Sequence, residues 1–70
     1  MKKTIYTENY ISDSLVEEVK EALKQYDQVE VSFDVTGRTL HQLLSVQLSE
    51  KMPEYDFEIG YNYLCIIKNK

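Results

Sequence analysis

"QVEVSFDV", residues 28–35, alternates without a break. Val29, Val31, Phe33 and Val35 fall on one side of an extended chain, and Gln28, Glu30, Ser32 and Asp34 on the other, because successive strand side chains point to opposite faces. The segment predicts a strand with one buried and one solvated face. Its valine side needs an apolar cover, and the flanking sequence supplies one on each side. Upstream, "ISDSLVEEVKEALKQY" (11–26) puts Leu15, Val16, Val19, Ala22, Leu23 and Tyr26 on one face of a helix. Ser14 has capping-box spacing to Glu17, and Ser12 is an equal candidate cap with Ile11 stapling onto Val16. Downstream, "TGRT" (36–39) breaks the strand, and Thr39 with Gln42 predicts the cap of a second helix. Leu40, Leu43, Leu44 and Leu48 form its expected apolar stripe, and Pro53 ends it.

Two further stretches complete a sheet. "KKTIYT" (2–7) reads as a short strand. In "PEYDFEIGYNY" (53–63), Glu54, Asp56 and Glu58 alternate with Tyr55, Phe57 and Ile59. "GY" at 60–61 suits a two-residue type II′ turn, so "NYLCIIK" (62–68) is expected to return antiparallel. That register sets Glu58 against Tyr63, Phe57 against Leu64, Asp56 against Cys65 and Tyr55 against Ile66. Tyr55, Phe57, Leu64 and Ile66 then face the core, and Glu54, Asp56, Glu58, Tyr63 and Cys65 face outward. The order β-α-β-α-β-β implies an α/β two-layer sandwich in a single domain over residues 1–70: a mixed sheet, two helices on one face and an open acidic face.

Composition narrows the partners. The 70 residues hold 12 Asp and Glu against 8 Lys and Arg, a net charge of −4. Lys2, Lys3, Lys68 and Lys70 sit at the chain ends, so between Thr4 and Ile67 twelve acids face four bases. Direct binding to nucleic acid or to an anionic membrane depends on Lys and Arg and is disfavoured; a basic partner fits better. The lone Cys65 allows no intrachain disulfide and points to a reduced, cytoplasmic setting. "MKKT" opens like a secretory signal, but "IYTENY" turns polar at once, and the longest apolar run, "YLCII" (63–67), is too short to span a membrane.

Catalytic signals are weak. His41 has Arg38 and Gln42 as sequence neighbours and reads as a solvated or partly packed side chain, since a catalytic base needs an orienting partner. Cys65 reads as a small hydrophobe in a strand. No second cysteine offers metal-ligand spacing, and two glycines make no phosphate-cradling loop. The expectation is a protein without enzymatic activity, metal or cofactor.

The carboxylates are the stronger lead. Glu30 and Asp34 on one strand, and Glu54, Asp56 and Glu58 on another, are expected on the helix-free face with Tyr63 among them. Like charges across a sheet destabilise it, a cost that a basic partner would relieve. Tyrosine is enriched at interface hot spots. Glu17 and Glu21 on the first helix, interleaved with lysines, read first as solvated surface and are kept as further partner-binding candidates.

With carboxylates on the strands of "VEVSFD" (29–34) and "PEYDFE" (53–58), a short chain and six tyrosines, the sequence resembles the small acidic DNA-mimic inhibitors made by phages, among them those that block the bacterial histone-like protein HU. The resemblance implies an acidic protein that takes over the basic DNA-binding surface of a nucleoid protein in the bacterial host, through Glu30, Asp34, Glu54, Asp56 and Glu58. The lysines at the chain ends depart from that pattern. The alternative is a small homo-oligomeric structural or regulatory module that pairs through the sheet, with Tyr63, Cys65 and Ile67 facing outward.

Overall fold

The computed structural model describes residues 2–60 and 63–67. The elements follow the expected order: β1 (Lys2–Thr7), α1 (Asp13–Leu23), β2 (Gln28–Phe33), α2 (Arg38–Lys51), β3 (Asp56–Ile59) and β4 (Leu64–Ile67). The four strands form one mixed sheet in the order β1-β2-β4-β3. β1 pairs parallel with β2, and β4 pairs antiparallel with both β2 and β3. β2 and β3 therefore run in the same direction, with β4 inserted between them. The insertion has a physical reason. Leu64, Cys65 and Ile66 are all buried, and a strand apolar on both faces belongs in the middle of a sheet.

Only one face of the sheet is covered. Ile5, Val29, Val31, Phe33, Leu64 and Ile66 share a core with Leu15, Val19, Ala22 and Leu23 of α1 and with Leu44, Leu48 and Met52 of α2 and its end. Tyr55, Phe57 and Ile59 pack against this core from the β3 edge while staying partly exposed. The result is the two-layer α/β sandwich the sequence implied. Among the described residues, no helix is long and apolar enough to cross a membrane.

Local details differ from the sequence reading in four places. The hairpin register is shifted by two residues: Phe57 opposes Ile66, Glu58 opposes Cys65 and Ile59 opposes Leu64. A two-residue shift keeps every side chain on its expected face, so the core assignment survives. The Gly60 N–H donates to the Tyr63 carbonyl at 3.0 Å, so the turn closes one residue later than "GY" predicts. Tyr61 and Asn62, which the type II′ reading involved, lie outside the described residues, as do Lys68 and Lys70.

The strand ends also move inward. β3 begins at Asp56 rather than Glu54, and β2 ends at Phe33 rather than Val35.

Of the two candidate caps for α1, Ser12 is the one used, its Oγ accepting the Leu15 N–H at 3.1 Å, and the difference lies in the second helix. α2 is capped by neither Thr39 nor Gln42. It starts at Arg38 behind Gly37, which caps with no side-chain bond. The Gly37 φ of 105° lies where side chains are strained, so glycine sets the sharp exit from β2 into the helix.

The fourth difference is the face that α2 buries. His41, Leu44, Ser45 and Leu48 point inward, whereas Leu40 and Leu43 are exposed. His41, expected to be solvated or partly packed, is only 5% exposed. Its Nε2 accepts the Phe33 N–H at 3.4 Å, and its ring meets the Phe33 ring edge-on with centroids 5.1 Å apart. The Ser45 hydroxyl donates its proton to the His41 carbonyl at 2.8 Å, so toward Nδ1, 3.5 Å away, it can only accept. That assigns the ring proton to Nδ1 and leaves Nε2 free for Phe33. Among the described residues, no buried side-chain nitrogen or oxygen lacks a partner. The imidazole joins the start of α2 to the end of β2, which lies beyond the last β2–β4 pair at Val31 and Leu64.

Candidate functional site

The helix-free face is built from the alternate residues of all four strands. Strand pairing sorts them into rows. One row runs Lys2, Gln28, Ile67, Asp56, and the next Thr4, Glu30, Cys65, Glu58. Beyond them Tyr6 pairs with Ser32, and Tyr63 lies opposite Gly60. Neighbouring strands lie about 4.8 Å apart, which puts Glu30 and Glu58 roughly 9.5 Å from each other across Cys65. Asp56 and Glu58 are about 6.7 Å apart along β3.

The face is polarised. Asp56 and Glu58 on the β3 edge are exposed, and the residues directly opposite them on β4, Ile67 and Cys65, carry no positive charge. On the β1 side, Lys2 reaches Glu30 at 3.6 Å. Both partners stay wet, so the pair contributes little to stability, about 0–1 kcal/mol. Its consequence is for charge: Lys2 offsets Glu30, and the acidic character is concentrated toward β3. The other terminal lysine of β1, Lys3, lies on the opposite side with its ammonium 5.8 Å from the Tyr26 ring centroid.

Of the predicted partner-binding residues, Glu30, Asp56, Glu58 and Tyr63 share this face. Asp34 sits one residue past β2, exposed, its N–H donating to the Thr7 carbonyl at 3.0 Å. It borders an open groove of about 450 Å³ lined also by Tyr6, Thr7, Glu8, Ser32 and Phe33. Glu54 lies in the turn before β3, beyond the strand that was to align it with Asp56. Glu17 and Glu21 are exposed on α1, in the other layer, and Glu21 binds Lys24 at 2.9 Å. The eight candidates are thus split between two sides of the molecule.

Two contributors to this face were missing from the candidate set. Tyr6 is 81% exposed at the end of β1, and Lys2 is the cation within the patch. The alternation of "KKTIYT" holds the signal, since burying Ile5 turns Lys2, Thr4 and Tyr6 together to the open side. Tyr63 is positioned by its neighbour: a Cβ at Gly60 would overlap the Tyr63 ring, so the glycine gives that ring its seat on the sheet.

Cys65 lies between the two glutamates and is more enclosed than its outward direction implied, at 8% exposure. Its thiol donates to Gln28 Oε1 at 3.8 Å. Burial pushes the thiol pKa up, and the carboxylates of Glu58 and Glu30 push the same way against the opposing effect of Lys2. A raised pKa means less thiolate at any given pH below it, so the native protein should react with a thiol-specific disulfide reagent at neutral pH well below the rate of the urea-unfolded chain. The rate should climb as pH rises, and Glu58→Gln should speed it by removing one opposing charge. Native labelling as fast as unfolded labelling would contradict this picture. Among the described residues, no group of three His, Cys, Asp or Glu side chains is arranged to hold a metal ion.

Comparison with family models, curated proteins and solved structures finds no match to this chain.

Proposed function

We propose that this chain is an acidic protein-binding inhibitor whose open sheet face docks on the basic surface of a nucleoid or other DNA-binding protein and competes there with DNA, in the cytoplasm of a bacterial host. The observation that supports it is the grouping of Asp56, Glu58 and Glu30 with Tyr6 and Tyr63 on a sheet face that no helix covers. A two-layer sandwich of this size must leave one sheet face to water. Here that face offers carboxylates about 7–10 Å apart, flanked by aromatic rings. Lysines and arginines of a partner would relieve the repulsion among the acids and engage the rings by cation–π contact. The acidic β3 side meets the partner, and Lys2 marks the limit of the acidic zone. The helix acids Glu17 and Glu21 act only at long range in this reading.

The test uses a bacterial histone-like HU protein and a fluorescent DNA duplex. The chain should displace the DNA, and excess DNA should displace the chain. Affinity for HU should fall about tenfold or more between 50 and 300 mM salt, because exposed charges are screened over roughly 10 Å at 0.1 M. Binding that is insensitive to salt and untouched by DNA would sink the reading.

A further inference from the structure

α2 is apolar on two sides. His41, Leu44, Ser45 and Leu48 face the sheet. Leu40, Leu43 and Val46 form a second ridge at a spacing of three, and they are 44%, 52% and 41% exposed. Leu43 stands at the middle of this ridge, beside a shallow groove lined by Thr39, Gln42, Leu43 and Val46. The polar residues around it, Thr39, Gln42 and Gln47, are uncharged. By contrast, α1 exposes Asp13, Glu17, Glu18 and Glu21, and the sheet face exposes Asp56 and Glu58.

We propose that this ridge is the contact surface for a second copy of the chain, with two α2 helices packed antiparallel about a two-fold axis at Leu43. Charge permits this occupant on this side of the molecule and disfavours it elsewhere. A chain of net charge −4 repels its own copies, and like charges brought together across an interface are costly. The outer side of α2 lets two copies approach without stacking acids on acids.

The ends of the helix are self-complementary as well. The N-terminus of α2 has no acidic residue in its first turn and no side-chain cap, and a negative group placed against it is favoured by the helix dipole. Glu50 follows Leu43 by seven residues, on the same side of the helix and about 10.5 Å further along it, while Gly37 precedes Leu43 by about 9 Å. An antiparallel pair centred on Leu43 therefore brings Glu50 of each copy to the open N-terminus of the other. Leu40 of one copy meets Val46 of its partner, and the two Leu43 side chains meet at the axis. One 14-residue helix per copy makes an interface smaller than the roughly 800 Å² per partner of a standard complex, so the dimer is concentration-dependent rather than obligate. Both sheet faces point outward in such a dimer, and the contact is independent of what they bind.

Sedimentation from about 1 μM to about 1 mM tests the pairing. The wild type should pass from monomer to dimer across this range. Leu43→Glu, at an exposed position, should keep its helical circular dichroism and raise the dimer dissociation constant at least 100-fold, while Glu50→Lys should raise it about tenfold. Leu43→Cys in a Cys65→Ser background should form an intermolecular disulfide under mild oxidation, and Thr4→Cys on the sheet face should not. A wild type still monomeric at 1 mM, a Leu43→Glu protein that dimerises like the wild type, or equal cross-linking from Thr4→Cys overturns the proposal.

Discussion

His41→Ala is expected to destabilise the fold by about 2–5 kcal/mol, the range for emptying a buried side-chain site. Two effects combine. The deleted imidazole leaves a cavity beneath Phe33, and the Phe33 N–H loses its acceptor at the end of β2. A buried unpaired donor costs about 1–3 kcal/mol, here at the lower end because the 3.4 Å bond is long. A domain of 70 residues holds only about 4–10 kcal/mol of stability, so the substitution removes a large share of it. The melting temperature should drop by at least about 8 °C, since each kcal/mol is worth roughly 4–8 °C in a domain of this size. His41→Leu separates the two effects by filling the space without restoring an acceptor. It should recover part of the loss and stay about 1 kcal/mol or more below the wild type. Leu40→Ala, one residue earlier on the exposed side, should cost less than about 1 kcal/mol. Urea midpoints followed by circular dichroism measure all three at protein concentrations low enough to exclude association. A His41→Leu protein as stable as the wild type would show that the Phe33 N–H does not depend on the imidazole.

The contrast between Leu40 and His41 shows where sequence patterning loses its grip. A helix with one apolar stripe announces its buried face, and α1 did so: Leu15, Val19, Ala22 and Leu23 are buried as the spacing implied. α2 has apolar residues on both sides, so choosing its leucines as one stripe merged two ridges and left out the histidine and serine between them. Those polar residues can be buried because their hydrogen bonds are met by Phe33 and by the helix backbone, information that lies in the tertiary structure and not in the periodicity.

Strand faces were legible for the opposite reason. With a side-chain period of two and one covered face, Val29, Val31 and Phe33 could only point inward, and the two-residue error in the hairpin register left every face unchanged. The position of β4 was partly legible. The unbroken apolarity of "YLCII" signals a strand with neighbours on both sides, yet chain order alone favours β3 beside β2. For the candidate site, alternation grouped Glu30, Asp56 and Glu58 on one face and helical periodicity left Glu17 and Glu21 in the other layer, but sequence distance hid that Lys2 would join the sheet acids.

That division between layers makes a charge-matched comparison decisive for the proposed function. Asp56→Lys with Glu58→Lys, and Glu17→Lys with Glu21→Lys, change the net charge by the same amount, the first pair on the sheet face and the second on α1. If the chain binds a histone-like HU protein through its open face, the first double variant should bind at least 100-fold more weakly and the second no more than about fivefold. The first pair exchanges direct attraction for repulsion at the contact, and like charges set against each other across an interface cost several kcal/mol, where about 2.8 kcal/mol already amounts to 100-fold. The second pair changes only the long-range field, which is largely screened beyond roughly 8 Å at physiological salt and affects the encounter rate more than the bound complex. Folding should survive both. Asp56 and Glu58 are exposed, and reversing Glu58 relieves its repulsion with Glu30 across Cys65; the helix pair loses only the exposed Glu21–Lys24 contact. Titration calorimetry at one fixed salt concentration gives both affinities. Equal losses in the two variants would mean that net charge alone drives association, and the sheet face would then have no special role.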